Sequence, residues 1–410
     1  MAIREKVLII GNGFDLYHEL PTKYSQFIKV LMNIETLNIE DLQIKFDDLF
    51  KDVERNSEMK IRFDTEKMVF DNDKIIEIKN SLQNNCWYNS FKTKLNFENW
   101  IDVENEIKTT LRIIDKIIIE INKVINKDKN TSQFGTDWMY LKILNANEHN
   151  YLGFNFLIPG KSQIKHDLFV ISNNFYINFK KEYFYDELFI ELQTFINTFN
   201  IYLESIIGIF YKKIDSKNSD SLEHLKLKIN LFYTFNYTPT LEKFYGIEKV
   251  NYLHGKHSLK NHNIVLGIDE VGEEFRNDKI FMFTKYYQKL FNNTDYEFLS
   301  EIKLNNSKYE DTERDFIVFG HSLADNDQNY LIELFEVVKL KSNTITILFY
   351  NLSDKAQKLK NLLKIIGRKD VEYLMKKKRL VFIEINDKPF ETVFKSLPES
   401  FISGVDPSFH

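Results

Sequence analysis

A chain of 410 residues is longer than one small core requires, and its 43% apolar and 15% aromatic content excludes a disordered chain. Its 55 basic and 60 acidic residues are well mixed and leave a net charge of −5, which argues against non-specific nucleic-acid binding as the main activity. A lone cysteine, Cys86, excludes an internal disulfide and a cysteine-rich zinc site, and no uninterrupted apolar stretch could span a bilayer. The apolar run at residues 7–10 is too short for a signal-peptide core, so the chain reads as cytoplasmic.

The first predicted strand, residues 6–10, is continuously apolar. A mainly helical stretch follows. Trp100, Val103, Ile107, Leu111, Ile114, Ile118, Ile121 and Ile125 recur at three- and four-residue steps. Leu188, Leu192, Phe195, Phe199, Leu203, Ile206 and Phe210 do the same, so each series lines one face of a long amphipathic helix. Between them, residues 126–160 are largely polar, contain Gly135, Gly153 and Pro159, and read as a loop-rich connection or lid. Further strands are predicted at 231–235, 250–253, 264–266, 316–319, 344–350 and 380–385, with helices over 326–340 and 354–366. Continuous apolar strands alternating with helices predict an α/β fold with a Rossmann-like parallel sheet, buried on both faces. The implied division is a discontinuous nucleotide-binding core, residues 1–30 and 226–410, interrupted by a helical insertion, residues 31–225.

Four turns at predicted strand ends carry the candidate chemistry. Gly11-Asn12-Gly13-Phe14-Asp15 follows the first strand and precedes a helix for which Thr22 is the expected N-cap. Phosphate binding uses such a turn because glycine lets the backbone approach and a helix start offers N–H groups. Asp15 either bonds a ribose or substrate amide, or caps the helix. Asn236, after the second strand, either holds a ribose hydroxyl or a water, or closes a turn. His254, before Gly255, is the acid–base candidate, since imidazole titrates near neutrality. Its neighbours His257 and His262 fall in a polar loop. Gly320, His321, Ser322 and Asp325 form a second strand-to-helix turn able to hold a ribose or phosphate. The glycine two residues after the serine of a hydrolase elbow is missing there. Asp325 and Asp327 are read as helix caps in preference to metal ligands. Trp100 is expected in the core, and Asp102 and Glu104 at a helix N-terminus.

Together these motifs resemble the bacterial abortive-infection AbiH family. The likeness rests on residues 8–16, residues 20–25, Trp100-x-Asp102-x-Glu104 and residues 235–238. It continues through Leu253-His254-Gly255, Phe283-Thr284-Lys285 with Gln288, and Gly320-His321-Ser322-Leu323 with Asp327. This resemblance implies phage defence by growth arrest or cell suicide. The motifs are also similar, more loosely, to sirtuin-like domains of bacterial defence proteins, many of which hydrolyse NAD. That likeness implies NAD as substrate, with ADP-ribose and nicotinamide as products. It gives the pyrophosphate to Gly11 and Gly13, the ribose or attacking water to Asn236, the base to His254 and the nicotinamide side to Asp15. Asn12, Phe14, Gly320, His321, Ser322 and Asp325 complete the expected nucleotide contacts, and no metal is expected. Thr238 stands where those domains often carry aspartate, and Asn12-Gly13-Phe14-Asp15 replaces their usual Ala-Gly-x-Ser, which leaves room for another nucleotide. The helical insertion is assigned to self-association or to sensing a phage-derived trigger. The rival readings are a nucleotide-sensing binding module and a metal-dependent nuclease toxin.

Overall fold

The computed structural model describes residues 4–39, 43–98, 101–127, 166–172, 175–213, 229–269, 279–292, 298–299 and 312–385. The chain begins with β1 (Arg4–Ile10), α1 (Asn12–Tyr17) and α2 (Tyr24–Thr36). Helices α3 (Phe46–Phe50), α4 (Asn56–Arg62), α5 (Asn72–Leu82), α6 (Cys86–Glu98) and α7 (Val103–Lys127) follow. The antiparallel hairpin of β2 (Phe169–Ser172) and β3 (Phe175–Phe179) leads into α8 (Lys181–Ile201). The second half comprises β4 (Leu231–Thr234), α9 (Thr240–Tyr245), β5 (Asn251–Tyr252), α10 (Lys285–Asn292), β6 (Glu313–Phe319) and α11 (Gln328–Lys339). It closes with β7 (Thr344–Phe349), α12 (Leu352–Ile365), α13 (Arg368–Lys376) and β8 (Leu380–Glu384).

Six strands form one sheet in the order β5-β4-β1-β6-β7-β8, with every neighbouring pair parallel. Numbered along the chain within this sheet, the order is 3-2-1-4-5-6, that of doubly wound dinucleotide-binding sheets. The parallel sheet is thus consistent with the expected Rossmann-like layer. Ile10 is in register with Thr234 on one side and Phe319 on the other, so the turns leaving β1, β4 and β6 emerge together. Such sheets bind ligands at this carboxyl edge, beside the strand where the order reverses.

Alternation along β1 shows why its sequence is apolar throughout. Val7 and Ile9 enter a cluster with Leu331, Leu334, Val338, Leu362 and Leu374, from α11, α12 and α13. Leu8 and Ile10 point the other way and pack with Phe14, Leu241 and Tyr245. A third cluster joins Phe27 and Leu31 of α2, Ile78 of α5, Trp87 and Phe91 of α6, and Ile107 of α7 to Leu192 and Phe195 of α8. The boundary expected at residue 30 falls inside α2, which buries Phe27, Ile28, Val30 and Leu31 in this third cluster. Tyr237, Ile264, Leu266 and Phe283 from the second half also enter it.

Local structure departs from expectation at four places. The helix expected at or before Thr22 starts directly after Gly11, but the next one has Lys23, not Thr22, at its N-cap position. Gln26 Oε1 accepts from Lys23 N at 3.0 Å, whereas the Thr22 hydroxyl donates to Asn12 Oδ1 at 2.7 Å. Residues 264–266 are buried but not a strand. The Gln288 side chain takes the place of a neighbouring strand, accepting from Leu266 N at 3.1 Å and donating to Leu266 O at 3.0 Å. The β2–β3 hairpin lies within a stretch expected to be helical. Helix α8 continues as a π-helical segment, Tyr202–Ile207. Trp100 and residues 128–160 of the expected connection lie outside the described residues. Among the described residues, no helix is long and apolar enough to cross a membrane.

Candidate functional site

A cavity of about 560 Å³ opens at the carboxyl edge of the sheet, within the size range of small-molecule sites. On the sheet side it is lined by Gly11, Asn12, Gly13 and Asp15 after β1, Asn236 and Thr238 after β4, His254 after β5, and Gly320, His321 and Ser322 after β6. The facing wall brings Tyr24 of α2, Asp102 and Glu104 at the start of α7, Phe199 of α8 and Leu203 of the π-helical segment. π-Helical turns recur at functional sites. Two of the expected contact residues lie elsewhere. Phe14 is buried between the rings of Tyr245 and Phe319, and the Asp325 carboxylate pairs with Lys364 outside the lining. Asp327, not Asp325, faces the cavity.

The glycines of the first turn are explained by chain packing. Gly11 N donates to Phe319 O at 2.9 Å, Gly13 N to Gly320 O at 2.8 Å and Phe14 N to Gly11 O at 2.8 Å. Those N–H groups are therefore already bonded and do not form a ready phosphate cradle. A Cβ on Gly13 would lie 2.7 Å from Gly320 Cα. Gly320 has φ +73°, and a Cβ there would lie 2.2 Å from Phe14 N. The turns after β1 and β6 thus interlock, and a larger residue at 13 would disturb the fold as well as any ligand.

Asp15 is buried, with Oδ1 accepting from Thr240 Oγ1 at 2.6 Å and Oδ2 accepting from Thr238 Oγ1. Burial raises its pKa to about 6 against the opposing hydrogen bonds of Thr238, Thr240 and Asn236. Asn236 is fixed by its backbone N–H donating to Thr234 Oγ1 at 2.9 Å. Although its amide favours ionised Asp15, its buried Nδ2 makes no hydrogen bond of ordinary geometry among the described residues.

Asp327 stands at the centre of the remaining polar groups. His254 Nε2 is 3.0 Å from Oδ1, in poor alignment for a hydrogen bond, and His321 Nε2 is 3.2 Å from Oδ2. His321 Nδ1 accepts from Leu323 N at 2.9 Å, so the proton of neutral His321 sits on Nε2 and faces Asp327. Lys285 Nζ lies 3.1 Å from Asp327 Oδ1, 2.7 Å from Glu104 Oε2 and 3.0 Å from Asn326 O. Burial opposes charge on Asp327, but Lys285 and then His254 outweigh it and hold its pKa well below the usual value. Burial likewise opposes charge on Lys285, yet Asp327 and Glu104 prevail and its pKa is raised. Glu104, where burial outweighs Lys285, is lifted to about 7. Burial, with Lys285 next, pushes His254 down to about 3, so the imidazole is neutral but less basic than an ordinary histidine. Among the described residues, no group of three or more His, Cys, Asp or Glu could hold a metal ion.

The family model described as "Bacteriophage abortive infection AbiH" matches residues 7–157 and 163–349. The chain belongs to the AbiH family. No curated protein and no solved structure matches it. The AbiH family suggests a part in phage abortive-infection defence, and the match includes the cavity-lining turns after β1, β4, β5 and β6.

Within this AbiH chain, reasoning from sequence missed Glu104, Lys285 and Asp327 as one unit. Asp102 does what its position suggested, since Oδ1 accepts from Asn105 N at 3.1 Å and caps α7. Glu104, two residues on, turns into the cavity instead of serving only the helix dipole. Asp327 occupies the N-cap position of α11 without a side-chain cap bond. The available signal was the motif Phe283-Thr284-Lys285 itself, a lysine two residues after a buried phenylalanine. His257 also differs from expectation: it is buried, with Nδ1 2.9 Å from Glu204 Oε1 of the π-helical segment.

Proposed function

We propose that this AbiH protein is an abortive-infection effector that cleaves the N-glycosidic bond of NAD, releasing nicotinamide and ADP-ribose. The observation that carries this reading is the buried Asn236 amide, set beside Asp15 in a cavity lined with carboxylates. Breaking a ribosyl–nicotinamide bond develops positive charge on the ribose, which nearby carboxylates stabilise. Asp15, Asp102, Glu104 and Asp327 provide that field. The lining cations Lys23 and Lys358 are paired with Glu54 and Asp354, so the acidic interior suits the cationic nicotinamide-ribose end. Asn236 bonds a ribose hydroxyl, and neutral His254 orients the sugar or water by accepting a hydrogen bond. Self-association and a phage-derived trigger belong to the same reading.

The test is chromatography of NAD incubated with the full chain and an extract of phage-infected cells. Nicotinamide and ADP-ribose are expected in equal amounts. Asn236→Ala removes the amide that would hold the ribose, so the variant should lose cleavage while a thermal melt shows that it still folds. NAD left intact by wild type would sink the hydrolase reading. Binding without cleavage would favour a nucleotide sensor.

A further inference from the structure

Resting on that reading, we infer that Glu104, carried by the helical stretch and not by the sheet, takes the proton from the attacking water, so the active site is composite. Glu104 lines the cavity with its side chain 11% exposed. Its Oε2 is fixed 2.7 Å from Lys285 Nζ, and that ammonium is anchored in turn by Asp327 Oδ1 and Asn326 O. One carboxylate oxygen is thereby oriented, while Oε1 has no hydrogen bond to the described protein. An acid–base group needs this combination of a fixed plane and a free lone pair.

The groups facing Glu104 come from every wall. Lys285 projects from α10, Asp327 from the turn before α11, Asp102 from the start of α7, Tyr24 from α2 and Tyr237 from the turn after β4. Burial raises Glu104, Lys285 counters it, and Asp327 and Asp102 add to the rise, which brings the group to about 7. Asp327 is driven the opposite way by the same lysine. Two carboxyls sharing one ammonium are thus separated into a permanent anion and a proton carrier. His254, at about 3, is a poorer acceptor at neutral pH.

In the step itself, the bond from ribose C1′ to the nicotinamide nitrogen breaks, and its electron pair neutralises the pyridinium. The water oxygen bonds C1′ and its proton passes to Glu104 Oε1, then to solvent. One NAD and one water give nicotinamide, ADP-ribose and one proton.

The experiment measures NAD cleavage against pH for wild type, Glu104→Gln, Glu104→Asp and His254→Ala, with calorimetric NAD binding and thermal melts on each. Wild-type rate should rise with pH through about 7, where Glu104 ionises. Glu104→Gln should lose roughly 10²- to 10⁴-fold in turnover, and the rising limb with it, while still binding NAD. Glu104→Asp should keep a limb at reduced rate, and it carries the test should the glutamine variant unfold. An unchanged rate and limb in either Glu104 variant would overturn the inference alone, as would a limb that disappears only in His254→Ala. Wild type that leaves NAD intact overturns both this inference and the reading beneath it.

Discussion

On the sheet side of the cavity, backbone sets position: Gly13 N meets Gly320 O at 2.8 Å, and Gly11 N meets Phe319 O at 2.9 Å. Across the cavity, charge sets position, with Glu104, Lys285 and Asp327 joined at 2.7 and 3.1 Å. The backbone contacts of the sheet side are insensitive to proton concentration, because amide bonds do not titrate. The charge-built side places one group that titrates near neutrality, Glu104, against a buried ammonium, and its geometry therefore depends on whether that group is ionised. It also ties α7 to α10 and to the turn before α11, so the helical stretch and the sheet meet through this one lysine as well as through the apolar contacts of Tyr237 and Phe283.

The most damaging way to break the charged side is Lys285→Met. The lysine side chain is 3% exposed, and its loss leaves Glu104 and Asp327 buried together without their cation. Removing one partner of a buried ion pair costs about 3–5 kcal/mol, and urea denaturation should show a loss in that range. Adding Glu104→Gln should recover part of it, because the second change removes the stranded carboxylate. A loss under about 1 kcal/mol in the single variant would mean that the network contributes little to holding the two regions together.

Asp15 sharpens the comparison from the sheet side. Its folded pKa, about 6, lies above the ordinary 3.8, so the folded state favours the protonated acid. That contribution is fully present below about pH 4 and is lost as pH rises through 6. A rise of about two units corresponds to roughly 3 kcal/mol at neutral pH. Asp15→Asn removes the ionisation, so its stability relative to wild type should increase between pH 4 and pH 7 by up to that amount. Paired urea titrations at the two pH values check it. Parallel pH dependence in the two proteins would mean that Asp15 is not held in a desolvated state.

How much of this was legible in the sequence follows from the same contrast. Residues 6–10 declare a buried strand because both faces of β1 are covered, and the strand-end turns with Gly11, Asn236, His254 and Gly320 could be placed at one edge from strand periodicity. Those are local signals. The strand expected at 264–266 failed because apolar content alone does not tell a ladder from a segment whose amides are satisfied by Gln288. Glu104 and Lys285 were read as separate features because 181 positions of chain part them, and no periodicity encodes their meeting. The glycines at 11 and 13 were visible, but their role in fitting against Gly320 depends on a partner more than 300 residues away.

The smallest expected effect decides between two aspartates that the sequence could not separate. Asp325 and Asp327 share a single 3₁₀ turn, in which each residue advances by about a third of a rotation, so residues two apart point in different directions. Asp327 turns inward to Lys285 and the two histidines. Asp325 turns outward to Lys364, whose side chain is largely exposed while its own is partly so. An exposed pair of this kind contributes about 0–1 kcal/mol, since water screens the charges and two long side chains must be ordered. Asp325→Ala should therefore shift stability by less than about 1 kcal/mol and leave NAD binding and turnover at wild-type values. Calorimetry and the cleavage assay check this together. A tenfold loss of affinity in Asp325→Ala would return the nucleotide contact to Asp325, and would require the turn to rotate from its pairing with Lys364 when ligand enters.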